Sequence, residues 1–301
     1  MKTIQTLLLA LLIFINPVFA EASPVSSDIE THPASIKILG GVESKTGDWP
    51  WITALLISNE PDMYQAQFCA GVLIGQSWVL TAAHCVENQS PSQIAVAVGA
   101  YDLNNYSGTR TSVKSIRIHP RFSSTGFQND IALIELGQPS SHPTISLFSG
   151  ESKEEVPPSM IGEMTTAIGW GQAESSSYWY FPEKLRQVNL PVVSNSYCNL
   201  IYATSLLSSQ ICAGYDEAKD VCNGDSGGPI VSKIDGRWIH IGLVSYGKTC
   251  RSYFGWYGVY TRTSTYIDFI KQYVPDVSIH TADLADSADS DLSWLLLLLS
   301  D

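Results

Sequence analysis

The sequence predicts an all-β protein built as two packed antiparallel barrels with a C-terminal helix. Three observations carry that prediction. Short β-rich runs closed by Gly, Pro and Asn recur along the chain, a Pro/Ser/Glu-rich stretch divides them into two sets, and a single helical pattern stands near the end.

In the first set the runs are WITALLI (Trp51 to Ile57), AGVLIG (Ala70 to Gly75), IAVAVGAY (Ile94 to Tyr101) and DIALIEL (Asp130 to Leu136). The stretch from Gly137 to Ser159 holds the prolines and serines of a linker. The second set comprises TTAIGWG (Thr165 to Gly171), KLRQVNLPVV (Lys184 to Val193), GPIVSKIDGRWIHIGLVSYG (Gly228 to Gly247) and GVYTRT (Gly258 to Thr263). Asp235-Gly236 inside the third of these is a hairpin turn. TSTYIDFIKQYV (Thr263 to Val274) spaces Ile267, Ile270 and Val274 on one helical face, and Pro275 stops it.

The ends have their own chemistry. Lys2, the apolar LLLALLIFI (Leu7 to Ile15) and the small-residue VFA (Val18 to Ala20) form an export signal over residues 1–20. The apolar run is shorter than the roughly 20 residues that span a bilayer, and no stop-transfer pattern follows it. From Asp276 onward there are six acids and no Lys or Arg, so half of the net charge of −12 sits in a tail, 276–301. ADLADSADSD within it is low-complexity and expected to be solvated, and the closing WLLLLL reads first as a frayed apolar terminus, with a sorting or docking tag, and so surface retention, as the alternative. A net charge of −12 argues against nucleic acid as the natural partner.

Export permits disulfides. The six cysteines, Cys69, Cys85, Cys198, Cys212, Cys222 and Cys250, suggest three bridges, and spacing alone leaves on the order of 15 connectivities open. No C-x-x-C or H-x-x-x-H spacing supports zinc, so neither metal nor cofactor is expected.

DVCNGDSGGPIV (Asp220 to Val231) sets one serine, Ser226, between glycines and behind two aspartates. A serine hydroxyl needs a base to take its proton, usually a histidine held in one tautomer by a carboxylate. His32 and His280 lie in flanking segments, His119 and His142 beside prolines in surface-like turns, and His240 on an apolar strand as a structural residue. His84 stands in LTAAHCVE, where a disulfide at Cys85 would pin its backbone. GDSGG also satisfies the G-x-S-x-G elbow of α/β hydrolases, but that elbow needs a helix after the serine and the order Ser, acid, His. Here strands follow Ser226 and no βαβ alternation exists.

TAAHC, NDIAL (Asn129 to Leu133) and GDSGGP, in that order, resemble the chymotrypsin–trypsin family of serine endopeptidases over Ile38 to about Val274. The resemblance implies a chymotrypsin-like fold of two six-stranded barrels, about 38–140 and 160–262, within a peptidase domain 38–275. It implies His84 as base, Asp130 as the orienting acid, Ser226 as nucleophile and the Gly224 and Ser226 N–H groups as the oxyanion hole. Ser245 matches the serine that hydrogen-bonds the triad acid at the edge of the primary pocket. The implied bridges are Cys69–Cys85, Cys198–Cys212 and Cys222–Cys250, a count close to that of bacterial secreted trypsins.

KILGG (Lys37 to Gly41) resembles the family's activation site, with Leu39 where valine is usual. Cutting after Lys37 would remove a pro-segment, 21–37, and free an Ile38 ammonium for Asp225. Asp220 takes the place of the acid at the base of the primary pocket, with Gly247 and Gly258 as its walls, which implies peptide or protein substrates with Arg or Lys at the cleaved position. Val221 lacks the hydroxyl that helps solvate a lysine ammonium, so Arg is preferred. Ala100 stands where the calcium loop's first glutamate would be, so no calcium is expected there, and Tyr257 takes a position where tyrosine accompanies sodium sensitivity in some members. The implied protein is a secreted monomer, extracellular or periplasmic, opened by another protease or by itself. The rival from another class, a silent homologue acting only by binding, usually lacks one of the three triad residues that this chain keeps.

Overall fold

The computed structural model describes residues 37–38, 41–150, 158–174, 179–215, 221–247 and 256–281. Six strands, β1 (Ile52–Ile57), β2 (Gln67–Gly75), β3 (Trp78–Thr81), β4 (Ile94–Val98), β5 (Arg110–Ile118) and β6 (Ala132–Leu136), close into an antiparallel barrel in the order β1-β2-β3-β6-β5-β4. Six more, β7 (Met164–Gly169), β8 (Arg186–Val193), β9 (Gln210–Tyr215), β10 (Pro229–Ile234), β11 (Arg237–Gly247) and β12 (Trp256–Arg262), run β10-β7-β8-β9-β12-β11, and the β10–β11 hairpin closes the second ring. The expected pair of six-stranded barrels is present.

Local chemistry accounts for the elements. In β8 the alternating Arg186, Val188, Leu190 and Val192 are buried, a period of two that turns one face inward. Asp235 and Gly236 both take positive φ, 50° and 75°, as a two-residue hairpin of the twist-matched type requires. Each barrel has its own apolar core, one around Ile52, Leu55, Leu73, Leu80 and Ile134, the other around Val188, Leu190, Ile230 and Tyr260.

Three expectations change. The C-terminal helix is shorter than the pattern suggested: a 3-10 turn, Thr263–Tyr266, precedes an α-helix at Ile267–Lys271. Tyr266 breaks the regular spiral at φ −116°, ψ 14°, its ring packed against His119 and its hydroxyl 3.3 Å from Asn129 Oδ1. His119, read as a surface turn residue, is only 7% exposed and lies edge-on to Tyr266 and Phe269, where it pins the helix to the first barrel. The linker also carries order: Ser146–Phe148 pairs in parallel with β11 and with Ile279–His280, so order continues past residue 276. The signal, most of the pro-segment and the apolar end lie outside the described residues.

Candidate active site

His84 sits in a 3-10 turn, Ala83–Cys85, that follows β3, and the Cys69–Cys85 disulfide fastens this turn to β2. Asp130 is fully buried at the head of β6. The chain reaches it through two non-glycine residues of positive φ, Phe127 at 49° and Asn129 at 52°, a cost the surrounding contacts must offset. Asn129 is held at both ends of its side chain, Nδ2 donating to Arg121 O at 2.7 Å and Oδ1 facing the Tyr266 hydroxyl.

Three donors converge on the Asp130 carboxylate. The His84 main-chain N–H donates to Oδ1 at 2.9 Å, His84 Nδ1 lies 2.8 Å from Oδ2, and the Ser245 hydroxyl donates to Oδ2 at 2.6 Å. With Oδ2 accepting, Nδ1 carries the proton and Nε2 keeps a lone pair for another donor. The ring is one-fifth exposed, so that lone pair is accessible. Ser245 reaches the acid because the β11–β12 ladder slips between Val244 and Tyr246, a bulge that re-aims one side chain. Its hydroxyl therefore serves the acid. The Thr261 hydroxyl donates to Asp130 O at 2.8 Å, a second contact reaching across from the other barrel.

Ser226 lies in a tight turn between Gly224, φ 98°, and Gly227, φ 75°. Ala70 N donates to Ser226 O at 2.8 Å and Gln67 Nε2 to Gly224 O at 3.0 Å, which anchors this loop of the second barrel on β2 of the first. A side chain on Gly227 would overlap Thr81 Oγ1 and Ala70 O, and it would come 3.0 Å from Ala82 N, so only glycine permits the approach to the residues just ahead of His84. On the other side, Gly227 N donates to Val244 O at 2.8 Å, next to Ser245. The serine is thus bracketed by the elements that carry His84 and the acid's hydrogen-bond donor. Among the described residues no hydrogen bond yet joins Ser226 Oγ to His84 Nε2, and the Gly224 and Ser226 N–H groups donate to no protein acceptor.

Asp225, 1% exposed, points away from this face. Its Oδ1 accepts from Gly171 N at 2.7 Å and its Oδ2 from Cys222 N at 2.9 Å. Burial pushes its carboxyl up to about 6, against the opposing pull of those two N–H groups and of Arg186. A side chain on Gly169 or Gly171 would overlap this carboxylate, so both glycines shape its cradle.

The bridges Cys69–Cys85 and Cys198–Cys212 are formed. Cys222 is also disulfide-bonded, and its expected partner, Cys250, lies outside the described residues, as does Asp220. Gly247 and Gly258 face each other across β11 and β12, with open space where a Gly247 side chain would be. Val221 and Tyr257 are buried. Among the described residues Cys69, His84 and Cys85 cluster closely enough to suggest a metal, but both sulfurs are consumed by their mutual bond.

Sequence reasoning missed an aromatic wall beside the base. Phe127 meets the His84 ring edge-on at 5.5 Å and stacks on Tyr246 at 5.2 Å, and Tyr202 meets Tyr246 edge-on. Its only signal was an aromatic residue close to each of two motif positions, Phe127 three residues before Asp130 and Tyr246 directly after Ser245.

Residues 38–270 match the family model described as Trypsin. The chain is 32% identical to vitamin K-dependent protein C of Rattus norvegicus over 285 residues, 88% of this chain and 57% of that protein. It is 33% identical to the Oryctolagus cuniculus protein of the same name over 251 residues, 80% of this chain and 53% of that one. It thus spans a little over half the length of these relatives. Among solved structures it is similar to the VesB protease of Vibrio cholerae, with a TM-score of 0.66 and 35% identity over 79% of this chain and 68% of that one. The chain belongs to the trypsin family of serine proteases.

Proposed function

We propose that this protein is an exported endopeptidase that cuts after Arg, and less readily after Lys, and that it is made as a precursor opened between Lys37 and Ile38. The observation that carries the catalytic part is the pair of contacts from His84 to Asp130, main chain to Oδ1 and ring to Oδ2, because together they fix which ring nitrogen is basic.

Ser226 Oγ attacks the scissile carbonyl while His84 Nε2 takes its proton, and Asp130 stabilises the imidazolium that forms. The negative oxygen of the tetrahedral intermediate receives the Gly224 and Ser226 N–H groups, each such donor being worth about 2.7–4 kcal/mol in the transition state. The imidazolium returns its proton to the leaving amine, and water then hydrolyses the acyl-enzyme by the same steps. The Arg preference rests on the sequence position of Asp220 and on the facing glycines Gly247 and Gly258. The precursor reading rests on KILGG and on the buried cradle around Asp225.

The test is a profile of the residue preferred at the cleaved position, taken on the purified chain before and after mild trypsin treatment. Activity should rise on treatment, the new N-terminus should read ILGG, Arg peptides should lead, and Ser226→Ala should abolish turnover. Comparable turnover of Phe and Arg peptides would remove the role of Asp220. Full activity with the pro-segment intact would remove the precursor.

A further inference from the structure

Asp225 is a buried acid in a chain that still carries its pro-segment, before any free Ile38 ammonium exists. In this uncut state Ile38 is a strand residue paired with Ala173, two positions from the Gly171 N–H that Asp225 accepts. A lone buried carboxylate tends to neutralise, and a neutral one holds two N–H donors more weakly.

The ladder supplies a cation. Arg186 on β8 stands directly opposite Gly169 on β7, and residues directly opposite in an antiparallel pair project on the same face with Cβ atoms about 5 Å apart. The place a Gly169 side chain would fill is taken by Asp225 Oδ1. The Arg186 stem and the Asp225 carboxylate are therefore neighbours on one face, 3% and 1% exposed. Arg186 Nη2 also donates to Gly41 O at 3.2 Å, so the same guanidinium holds the chain three residues beyond Ile38.

We propose that Arg186 is a positioning residue, a built-in counter-ion that keeps Asp225 ionised and its grip on the oxyanion loop intact while the chain is uncut. This rests on the precursor reading above and deepens it. The consequence is a precursor with measurable basal activity, in which cleavage adds a second cation to a loop already partly held.

The charges around the pair agree. Arg186 feels the charges of Tyr180, Glu43 and Asp225, in falling order, and Glu43 lies opposite it in the β8 ladder. Glu43 is half-exposed and engaged by Lys184 at 3.5 Å and by the Tyr101 hydroxyl, whereas Asp225 is buried. Asp225 in turn accepts from the N–H groups of Cys222 and Gly171, and the more distant Arg186 charge adds a smaller pull in the same direction. Arg186 is among the groups that draw its carboxyl down against burial, so removing that charge moves the titration upward.

The experiment uses the full chain made uncleavable by Lys37→Gln, with kcat/KM on an Arg-peptide amide followed from pH 5 to 9 and cleavable chains run in parallel. Adding Arg186→Gln to the uncleavable chain should move the acid limb to higher pH. Activity on that limb should fall about tenfold for each pH unit the limb moves. Arg186→Lys, which keeps the charge, should follow the parent. After cleavage, Arg186→Gln should lie within about threefold of wild type, because the Ile38 ammonium supplies the charge. An unchanged limb, equal loss before and after cleavage, or no basal activity in the uncleavable chain would overturn the proposal. Should Arg186→Gln fail to fold, carbon-13 NMR of the Asp225 carboxyl in uncut Ser226→Ala protein decides: ionised at pH 7 supports the pairing, and protonated removes it. Absence of peptidase activity in cleaved wild type would instead sink the functional reading, an outcome this carboxyl measurement does not share.

Discussion

Replacing Asp130 by Asn tests the triad geometry more sharply than removing Ser226, because the structure dictates how the new amide must sit. The His84 main-chain N–H points at Oδ1 and cannot rotate away, so the amide carbonyl must take that place. The NH2 group then replaces Oδ2 and faces His84 Nδ1 and the Ser245 hydroxyl. Ser245 can rotate to accept. The ring can accept only by moving its proton to Nε2, which removes the lone pair that Ser226 needs. Flipping the amide restores the ring but sets two donors against each other in a fully buried site. Each unsatisfied buried group costs about 1–3 kcal/mol, together about 2–6. At about 1.4 kcal/mol per decade, the competent fraction falls to between about one in thirty and about one in twenty thousand. Loss of the charge facing the imidazolium adds to this, so kcat should drop about 10⁴-fold with KM within about threefold. Steady-state hydrolysis of an Arg-peptide amide by the cleaved protein reads the rate, and ring-nitrogen NMR of His84 reads the tautomer. A variant within about thirtyfold of wild type, or one that keeps its proton on Nδ1, would refute the reasoning.

Three further expectations follow from single contacts. Gly171→Ala drives a methyl into the Asp225 carboxylate, so kcat/KM should fall at least about 100-fold and the urea midpoint should drop by the equivalent of about 1–3 kcal/mol; near-normal activity would disprove the cradle. Removing Cys198 and Cys212 together releases a loop of sequence separation 14 and should cost about 3 kcal/mol in denaturant unfolding while activity at 25 °C stays within a few-fold. His240 is fully buried, 3.0 Å from the Thr263 hydroxyl, and burial lowers its pKa to about 3. Below pH 6.5 the unfolded chain therefore binds a proton that the native chain refuses, and stability is lost as pH falls. His240→Gln keeps the contact without titrating, so from pH 7 to 5 wild type should lose about 2 kcal/mol more than the variant. Asp225, shifted in the opposite sense, partly offsets the loss in both proteins; parallel pH curves would rule out His240 as the source.

The parts of this architecture legible in the sequence are those where a strand buries a continuous apolar run, as β1 and β4 do. β5 was missed because most of its side chains face outward or lie at the barrel surface, so RTSVKSIRI carries no apolar run. β9 was missed because Cys212 and Gly214 interrupt its pattern, although five of its six residues are buried. The helix Asn195–Tyr202 escaped although Ser194 caps its start, because only Cys198 is buried and Leu200, at 80% exposure, lies outside the core, which leaves no apolar stripe. His119 was misplaced because a proline beside a histidine suggests a turn, whereas its burial depends on Phe269, 150 residues away.

The site was legible for a different reason. Its three motifs are short, and the tertiary fold supplies the distances between them. What no motif carries is the seam. His84 and Asp130 come from the first barrel, Ser226 and Ser245 from the second. Four hydrogen bonds join them or their neighbours across it: Ser245 to Asp130, Thr261 to the Asp130 main chain, Ala70 to Ser226 and Gln67 to Gly224. Two of these donors, Ala70 and Gln67, belong to β2, the strand that the Cys69–Cys85 bridge ties to the His84 turn. A change that leaves both barrels folded but lets them shift by an ångström would therefore separate His84 from Ser226 while leaving each core, and most of the protein's stability, untouched.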